Sequence, residues 1–139
     1  MLNRNPMETH IPGLRILIVE EDRKIVEQLR DTFEEEGSDV EIALTLDLGL
    51  AILRDRRIDL VIINLQTTKD QIKKACVELG GLNLPARVLI STASKHIKDL
   101  KKKFPSRSTR ICFYSAETQG LEKLMSETKK EIRNFLGAT

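Results

Sequence analysis

The stretch RILIVEED, residues 15–22, joins four consecutive branched aliphatic residues to three carboxylates. A continuous apolar run bounded by charge predicts a strand that is buried on both faces. The carboxylates then fall at the carboxyl end of this strand, where open α/β sheets bind ligands and ions, so they would suit a cation. A simpler interpretation is that they cap and solvate the following helix, because a helix N-terminus favours acidic residues.

Composition narrows the class of protein. The 139 residues are 40% hydrophobic and 32% charged, which is typical of one globular domain with a real core. No apolar run approaches the roughly 18 residues that span a bilayer, and the polar N-terminus carries no secretion signal. We expect a flexible tail over residues 1–13 and a single domain over residues 14–139. Cys76 and Cys112 have neither metal-binding nor redox spacing, which favours reduced thiols in a cytoplasmic protein.

Charge is distributed unevenly along the chain. Residues 14–60 hold 7 basic and 13 acidic side chains, a net charge of −6, whereas residues 95–133 hold 11 basic and 5 acidic side chains, a net charge of +6. The whole chain carries only +2. Such an asymmetry bears on the choice of partner rather than on the fold.

Five apolar runs alternate with five amphipathic segments. The predicted strands are residues 15–20, 40–44, 58–64, 87–91 and 110–114, and the predicted helices are residues 23–36, 46–54, 69–79, 95–104 and 120–136. Gly37 and the pair Gly80-Gly81 are predicted to end the first and third helices. Strict alternation with short loops predicts an α/β three-layer sandwich whose parallel sheet has the order 2-1-3-4-5. The carboxyl ends of strands one, three, four and five would bring together Glu20, Glu21, Asn64, Ser91, Thr92 and Tyr114.

This pattern resembles the receiver domain of two-component response regulators over residues 14–136. In that family the first strand ends in an acidic pair, here Glu20 and Glu21, and the third ends in the phospho-accepting aspartate, here Asn64 in DLVIINL. The fourth strand ends in Ser or Thr followed by Ala, here Thr92 in LISTAS, and the fifth in a lysine, where ICFYSA places Tyr114. The successive spacings from Glu21 to Tyr114, 43, 28 and 22 residues, are close to those of the family. The resemblance implies a receiver-like domain with a (βα)5 flavodoxin-like fold.

Two departures affect the chemistry that the resemblance implies. In the family the aspartate attacks a phosphoryl group, the acidic pair holds Mg²⁺, and the lysine pairs with the bound phosphoryl group. Asn64 is neutral and weakly nucleophilic, and Tyr114 offers only a neutral hydroxyl. We therefore predict a degenerate phosphorylation site at Asn64, Thr92 and Tyr114 with no catalytic residue, and at most weak Mg²⁺ binding by Glu20 and Glu21. The Asn64 amide is expected to hydrogen-bond to Glu20, Glu21 or nearby backbone, and Tyr114 to pack over the site.

A basic run covers the predicted fourth helix and the start of the fifth strand. In receivers the fourth helix, the fifth strand and the last helix form the usual docking face, so the resemblance implies a docking face that is positive here. It would include Lys98, Lys101, Lys102, Arg110 and Ile111, with Ile111 where the family carries a rotating aromatic ring. An acidic protein partner suits this face and a homodimer stays open, whereas the lack of interleaved aromatics disfavours DNA. A solvated basic face is the simpler interpretation.

The leading functional hypothesis is a non-enzymatic signalling module, a pseudo-receiver that acts by protein–protein contact without aspartyl phosphorylation. One alternative is a working phosphorelay receiver that uses Asp22 or Asp70 as the acceptor. Another is a small-molecule-sensing domain of flavodoxin-like shape, which the lack of a Gly-rich phosphate loop after the first strand disfavours.

Overall fold

The computed structural model describes residues 13–64 and 68–115, together with residues 126, 129, 130 and 133. Strands and helices alternate as the sequence predicts, except that one extra turn of helix precedes the last strand. The elements are β1 (Arg15–Val19), α1 (Arg23–Glu35), β2 (Asp39–Ala43), α2 (Leu46–Asp55), β3 (Leu60–Ile63), α3 (Lys69–Gly81), β4 (Arg87–Thr92), α4 (Ser94–Lys103), α5 (Ser106–Thr109) and β5 (Ile111–Ser115).

The five strands form one parallel sheet in the order β2-β1-β3-β4-β5, which confirms the predicted order. β1 lies between β2 and β3, and its four aliphatic side chains are each at most 1% exposed: Ile16, Leu17, Ile18 and Val19. A continuous apolar run is required here because a strand covered by helices on both faces has no solvent face.

Apolar clusters lie on both faces of the sheet, as a three-layer sandwich requires. On one face, Leu29 and Phe33 of α1 pack with the β1 and β3 side chains Ile18 and Ile62. On the other face, α2, α3 and α4 contribute to a larger cluster through Leu50, Leu53, Ile72, Cys76, Leu79 and Leu100. Successive side chains of each strand point to opposite faces, so the same strands supply both layers.

Side-chain caps fix where the first three helices begin. The side chains of Asp22, Thr45 and Thr68 each accept a hydrogen bond from a backbone N–H in the first turn of α1, α2 and α3, respectively. Such caps satisfy donors that have no partner within the helix. For Asp22 the simpler interpretation of the acidic triplet is therefore correct, because this carboxylate is an N-cap.

The structure differs from the sequence-based prediction in two connections between elements, the one after α3 and the one before β5. The helix α3 continues through Gly80 and Gly81, and the left-handed residue that follows it is Asn83, with φ 51°. Asparagine is one of the few residues that adopt this conformation readily. The turn of helix α5 was not predicted, because four residues are too few to show a helical period. Other element bounds differ from the predicted ones by one or two residues.

Two predicted segments lie largely outside the described residues, namely the tail over residues 1–13 and the helix over residues 120–136. Within the second segment, Lys129 Nζ lies 3.1 Å from Glu36 Oε2 at the end of α1. Among the residues that the structure describes, no helix is long and apolar enough to cross a membrane.

Gly49 allows α2 to approach β1 closely. A Cβ added at Gly49 would lie 2.8 Å from Cγ2 of Val19, a β-branched side chain that is 1% exposed. By contrast, nothing lies within 4 Å of a Cβ added at Gly80 in α3. The close contact at Gly49 therefore sets the distance between α2 and the central strand.

Gly49→Ala is expected to lower the free energy of unfolding by about 1–2 kcal/mol, because the stiff, buried Val19 has no free space to move into. The matched control, Gly80→Ala, should raise it by roughly 0.5 kcal/mol through the better helix propensity of alanine. Urea unfolding followed by circular dichroism measures both values. Stabilisation of similar size in both variants would contradict the close approach of α2 to β1.

Candidate functional site

Backbone hydrogen bonds place Glu20 and Asn64 side by side at the carboxyl edge of the sheet. The Glu20 N–H donates to the carbonyl of Ala43 at 3.0 Å, and the Asn64 N–H donates to the carbonyl of Val19 at 2.9 Å. Both residues thus continue the hydrogen-bonding pattern one position beyond their strands. Their positions are fixed by the sheet rather than by loops.

The strand registers extend this pair into a row. If the pairing of β1 with β3 is continued by one residue, Glu20 aligns with Asn64. The same step in the pairing of β3 with β4 aligns Asn64 with Ser91, and Ser91 pairs with Tyr114 of β5. Because side chains alternate along a strand, these four lie on the same face of the sheet. Thr92 lies one row further along, so Ser91 rather than Thr92 shares the row of Asn64.

Glu20 is a buried carboxylate with both oxygens engaged. Its side chain is 3% exposed. The Asn64 Nδ2 group donates a short hydrogen bond to Oε1, and the backbone N–H of Asp22 donates to Oε2 at 2.8 Å. The predicted hydrogen bond of Asn64 is thus confirmed, with Glu20 as the acceptor. The bond from Asp22 was not predicted, because it depends on the path of the loop and has no sequence signal.

Burial raises the pKa of Glu20 above its ordinary value of 4.5. The hydrogen bonds from the Asp22 backbone and the Asn64 side chain oppose this rise, because they stabilise the charged form. The nearby Asp22 carboxylate adds a smaller increase by repulsion. Since burial dominates, Glu20 is held as an acid of weakened strength at the end of the central strand.

Glu21, the second acid of the predicted pair, is separated from Glu20 in space. Its side chain is exposed and lines a cavity next to α2 and α3. Each oxygen of Glu20 accepts one hydrogen bond, and each keeps a second lone pair. Within residues 13–64 and 68–115, no three acidic, His or Cys side chains are grouped so that they could hold a metal ion. The two carboxylates thus have different environments, and weak Mg²⁺ binding by this pair stays a prediction.

Tyr114 belongs to the core. Its side chain is 5% exposed and lies in the apolar cluster beneath α1, with Ile18 and Ile62. We expected it to pack over the site; the structure places it in the core on the same face of the sheet. The edge therefore presents a buried carboxylate, an amide that is half-buried, and a buried phenol. None of these groups is an activated nucleophile.

Three of the exposed lysines of α4 form one basic face, which we call the α4 basic face: Lys98, Lys101 and Lys102. They are spaced three and four residues apart, so they share one side of the helix. The single acid of α4, Asp99, instead pairs with α3, where Lys69 Nζ lies 2.9 Å and Lys73 Nζ 3.4 Å from its Oδ2. Neighbouring lysines lower the pKa of Asp99, led by the hydrogen bond from Lys69.

The structure divides the two remaining residues of the predicted docking face. Arg110 is exposed, with φ 60°, and its Nη1 donates to the Pro85 carbonyl at 2.7 Å. Ile111 is 2% exposed and lies in the core cluster on the α2–α4 face of the sheet. Its assignment to a partner surface is therefore wrong, because the first residue of β5 points inward.

These features define a class of fold: a CheY-like, flavodoxin-like α/β domain with the architecture of response-regulator receiver domains. No family model matches the sequence. No curated protein matches it at the level of sequence either. The fold is therefore recognised through solved structures.

Three solved structures illustrate the likeness. The signal receiver domain of a Vibrio parahaemolyticus protein described as a Luxo repressor aligns with a TM-score of 0.68 at 15% identity, over 88% of this chain and 92% of that chain. A CheY-like receiver domain protein from Methanospirillum hungatei has a TM-score of 0.65 at 19% identity, covering 91% and 98%. The regulator TrrA from Thermotoga maritima, in complex with Mg(2+)-BeF, has a TM-score of 0.64 at 22% identity, covering 84% and 97%. At these identities the likeness establishes the fold.

Glu20→Gln is expected to flatten the pH dependence of stability. Because burial raises the folded-state pKa of Glu20 above 4.5, the folded protein holds this proton more tightly than the unfolded chain does. The stabilisation is fully present below the unfolded pKa and is lost as the pH rises through the raised value. Urea unfolding from about pH 4 to about pH 8 should therefore show a wild-type advantage over the variant that shrinks with rising pH.

The control variant is Glu21→Gln, which removes the exposed neighbouring acid and keeps Glu20. Its stability should follow the wild-type profile. A Glu20→Gln variant that kept the full wild-type pH slope would contradict the assignment.

Proposed function

We propose that this chain is a cytoplasmic signalling domain of the receiver fold that acts by protein–protein contact, with no aspartyl phosphorylation and no enzymatic activity of its own. The observation that carries the proposal is the hydrogen bond from the Asn64 amide to the buried Glu20 carboxylate. This bond occupies the edge of the sheet where phosphoryl chemistry would need free, charged oxygens. Neither Cys76 nor Cys112 is in a disulfide, which fits a reducing compartment.

The amide at the end of β3 is a poor acceptor for a phosphoryl group. A carboxylate attacks phosphorus with a charged oxygen. An amide is neutral, and its nitrogen donates hydrogen bonds rather than attacking. Asn64 uses such a donor toward Glu20. A hydrogen bond to a charged group typically contributes about 1.5–3 kcal/mol, so this bond holds the Asn64 amide against Glu20.

The position that resembles the receiver lysine supports the same conclusion. Tyr114 is buried among aliphatic side chains. A phenol lacks the positive charge with which an ammonium group pairs with a phosphoryl group. The residues at both positions, Asn64 and Tyr114, thus lack the charge that phosphorylation chemistry uses.

Neither alternative acceptor is well placed. The Asp22 carboxylate caps α1 by accepting from the Lys24 N–H at 2.9 Å, and Asp70 lies exposed in the first turn of α3. Neither belongs to the row of Glu20 and Asn64. We therefore rank a rearranged phosphorelay receiver below the contact module.

The α4 basic face supports an acidic protein as the partner. Its lysines are exposed along one side of the helix, and Asp99, which would offset them, is neutralised by α3. Arg110 adds a further exposed cation before β5. Clustered charge of one sign steers an oppositely charged partner and suppresses like-charged ones.

Wild-type protein incubated with acetyl phosphate and Mg²⁺ is expected to keep its intact mass, because Asn64 offers no charged oxygen. Addition of Mg²⁺ and beryllofluoride should likewise leave the amide NMR peaks of Glu20, Glu21 and Asn64 in place. The matched positive control is Asn64→Asp, which restores the charged acceptor oxygen at the end of β3 and should gain one phosphoryl group. A hydroxylamine-sensitive phosphoryl adduct on the wild-type chain would overturn the proposal.

Charge reversal tests the partner surface. Lys98→Glu/Lys101→Glu should reduce recovery of acidic partner proteins from lysate by at least about fivefold at low salt, because rim charges govern encounter. The control, Arg23→Glu/Lys24→Glu, changes two exposed cations of α1 on the other face of the sheet and should bind as wild type does. Equal recovery by all three proteins would exclude the α4 basic face, and recovery of DNA in place of protein would replace the proposed partner.

A further inference from the structure

A cavity of about 380 Å³ lies between α2 and α3 at the carboxyl edge of the sheet. Small-molecule sites typically measure roughly 300–1,000 Å³ and have an apolar lining with a few polar groups. The floor of this cavity is aliphatic and comes from four different elements, through Leu50, Ile63, Ile72 and Ile90. Its volume and its lining are thus those of a ligand site.

One side of α3 shapes the cavity. One stripe of α3 lines the cavity, because residues three, four and seven positions apart share one side of a helix. The stripe consists of Gln71, Lys74, Ala75 and Glu78. The small side chain at the centre of this stripe, Ala75, leaves room that a larger residue would fill. The opposite side is lined by Leu46 and Asp47 at the start of α2.

The charged lining of the cavity is mostly acidic. Three carboxylates reach it from three parts of the chain: Glu21 after β1, Asp47 in α2 and Glu78 in α3. Among the described residues that line it, Lys74 is the one cation. No described cation lies within 4.0 Å of these three carboxylates in an ion pair. The cavity is therefore complementary to positive charge.

The location agrees with the topology. The order of the sheet reverses between β1 and β3, and open α/β sheets bind ligands in the crevice outside the carboxyl ends of their strands at this reversal. Glu21 and Ile63, which follow and end these two strands, both line the cavity.

We propose that this cavity binds a small organic cation with an apolar body, such as an alkyl- or arylalkylammonium ion. The ammonium group lies against the carboxylates of Glu21, Asp47 and Glu78, and the hydrocarbon lies on the aliphatic floor. An anion would be repelled by these carboxylates, and a bare metal ion would find hydrocarbon where it needs oxygen ligands. The cavity shares no residue with the α4 basic face, so this proposal stands independently of the partner proposed above.

An NMR titration of the full chain with 4-phenylbutylammonium, with 4-phenylbutanol and 4-phenylbutyrate as probes of matched shape, tests the proposal. The ammonium probe should shift amide peaks of residues 44–50, 63 and 71–78. Its affinity should exceed that of the alcohol by about fivefold at low salt and fall as salt rises, because exposed charge pairs are worth about 1 kcal/mol or less each and are screened. Equal binding of the three probes, preference for the carboxylate, or no shift at these residues would overturn the proposal.

Two variants localise the binding. Glu78→Gln should weaken the ammonium probe by about threefold, the scale of one exposed charge pair, while Glu35→Gln, an exposed acid of α1 on the other face of the sheet, should leave it unchanged. Ala75→Leu should abolish the peak shifts by filling the cavity, provided that its thermal melt shows a folded protein. If Ala75→Leu does not fold, the two glutamine variants decide, and equal affinity in both would overturn the assignment.

Discussion

The complete burial of β1 is the constraint on which the rest of the structure depends. The strand has a neighbour on each edge and a helical layer on each face, so its aliphatic side chains are withdrawn from water. The first polar residue after this strand, Glu20, is only 3% exposed. A carboxylate in that position is costly unless its oxygens are hydrogen-bonded. Asn64 meets this requirement because the sheet register places it beside Glu20, and the Asp22 backbone meets it through the path of the loop after β1.

This requirement explains why the two neighbouring acids have different environments. Glu20 faces inward and is held by neutral donors, while Glu21 faces outward toward the cavity. A pair of carboxylates that converged on one ion would need both sets of oxygens to point the same way. Instead, the Asn64 amide and the Asp22 backbone N–H each donate a hydrogen bond to one oxygen of Glu20. Glu20 and Asn64 therefore form a fixed structural pair at the edge of the sheet. We assign binding to the surfaces around this pair.

Those surfaces carry opposite charge, and the asymmetry has its origin in the sequence. The acidic first part of the chain supplies Glu21 and Asp47 to the cavity, and the basic later part supplies the lysines of α4. The link between them is the α3–α4 contact, where Lys69 and Lys73 neutralise Asp99. Lys69 and Lys73 of α3 thus offset the negative charge of Asp99, the one acid of α4. The acidic cavity and the α4 basic face are therefore two separate surfaces of opposite charge.

The sequence by itself predicted the alternation of elements, the sheet order and the placing of Glu20, Glu21 and Asn64 at one edge of the sheet, because burial periodicity and strand order follow from local patterns. Only the tertiary structure decided that Glu20 turns inward and Glu21 outward, that Ile111 is core rather than surface, and that α2 and α3 leave a cavity between them. These outcomes depend on loop paths and on the distances between helices and strands, such as the close approach of α2 to β1 at Gly49. Such distances arise from contacts between residues far apart in the chain, so no local pattern encodes them.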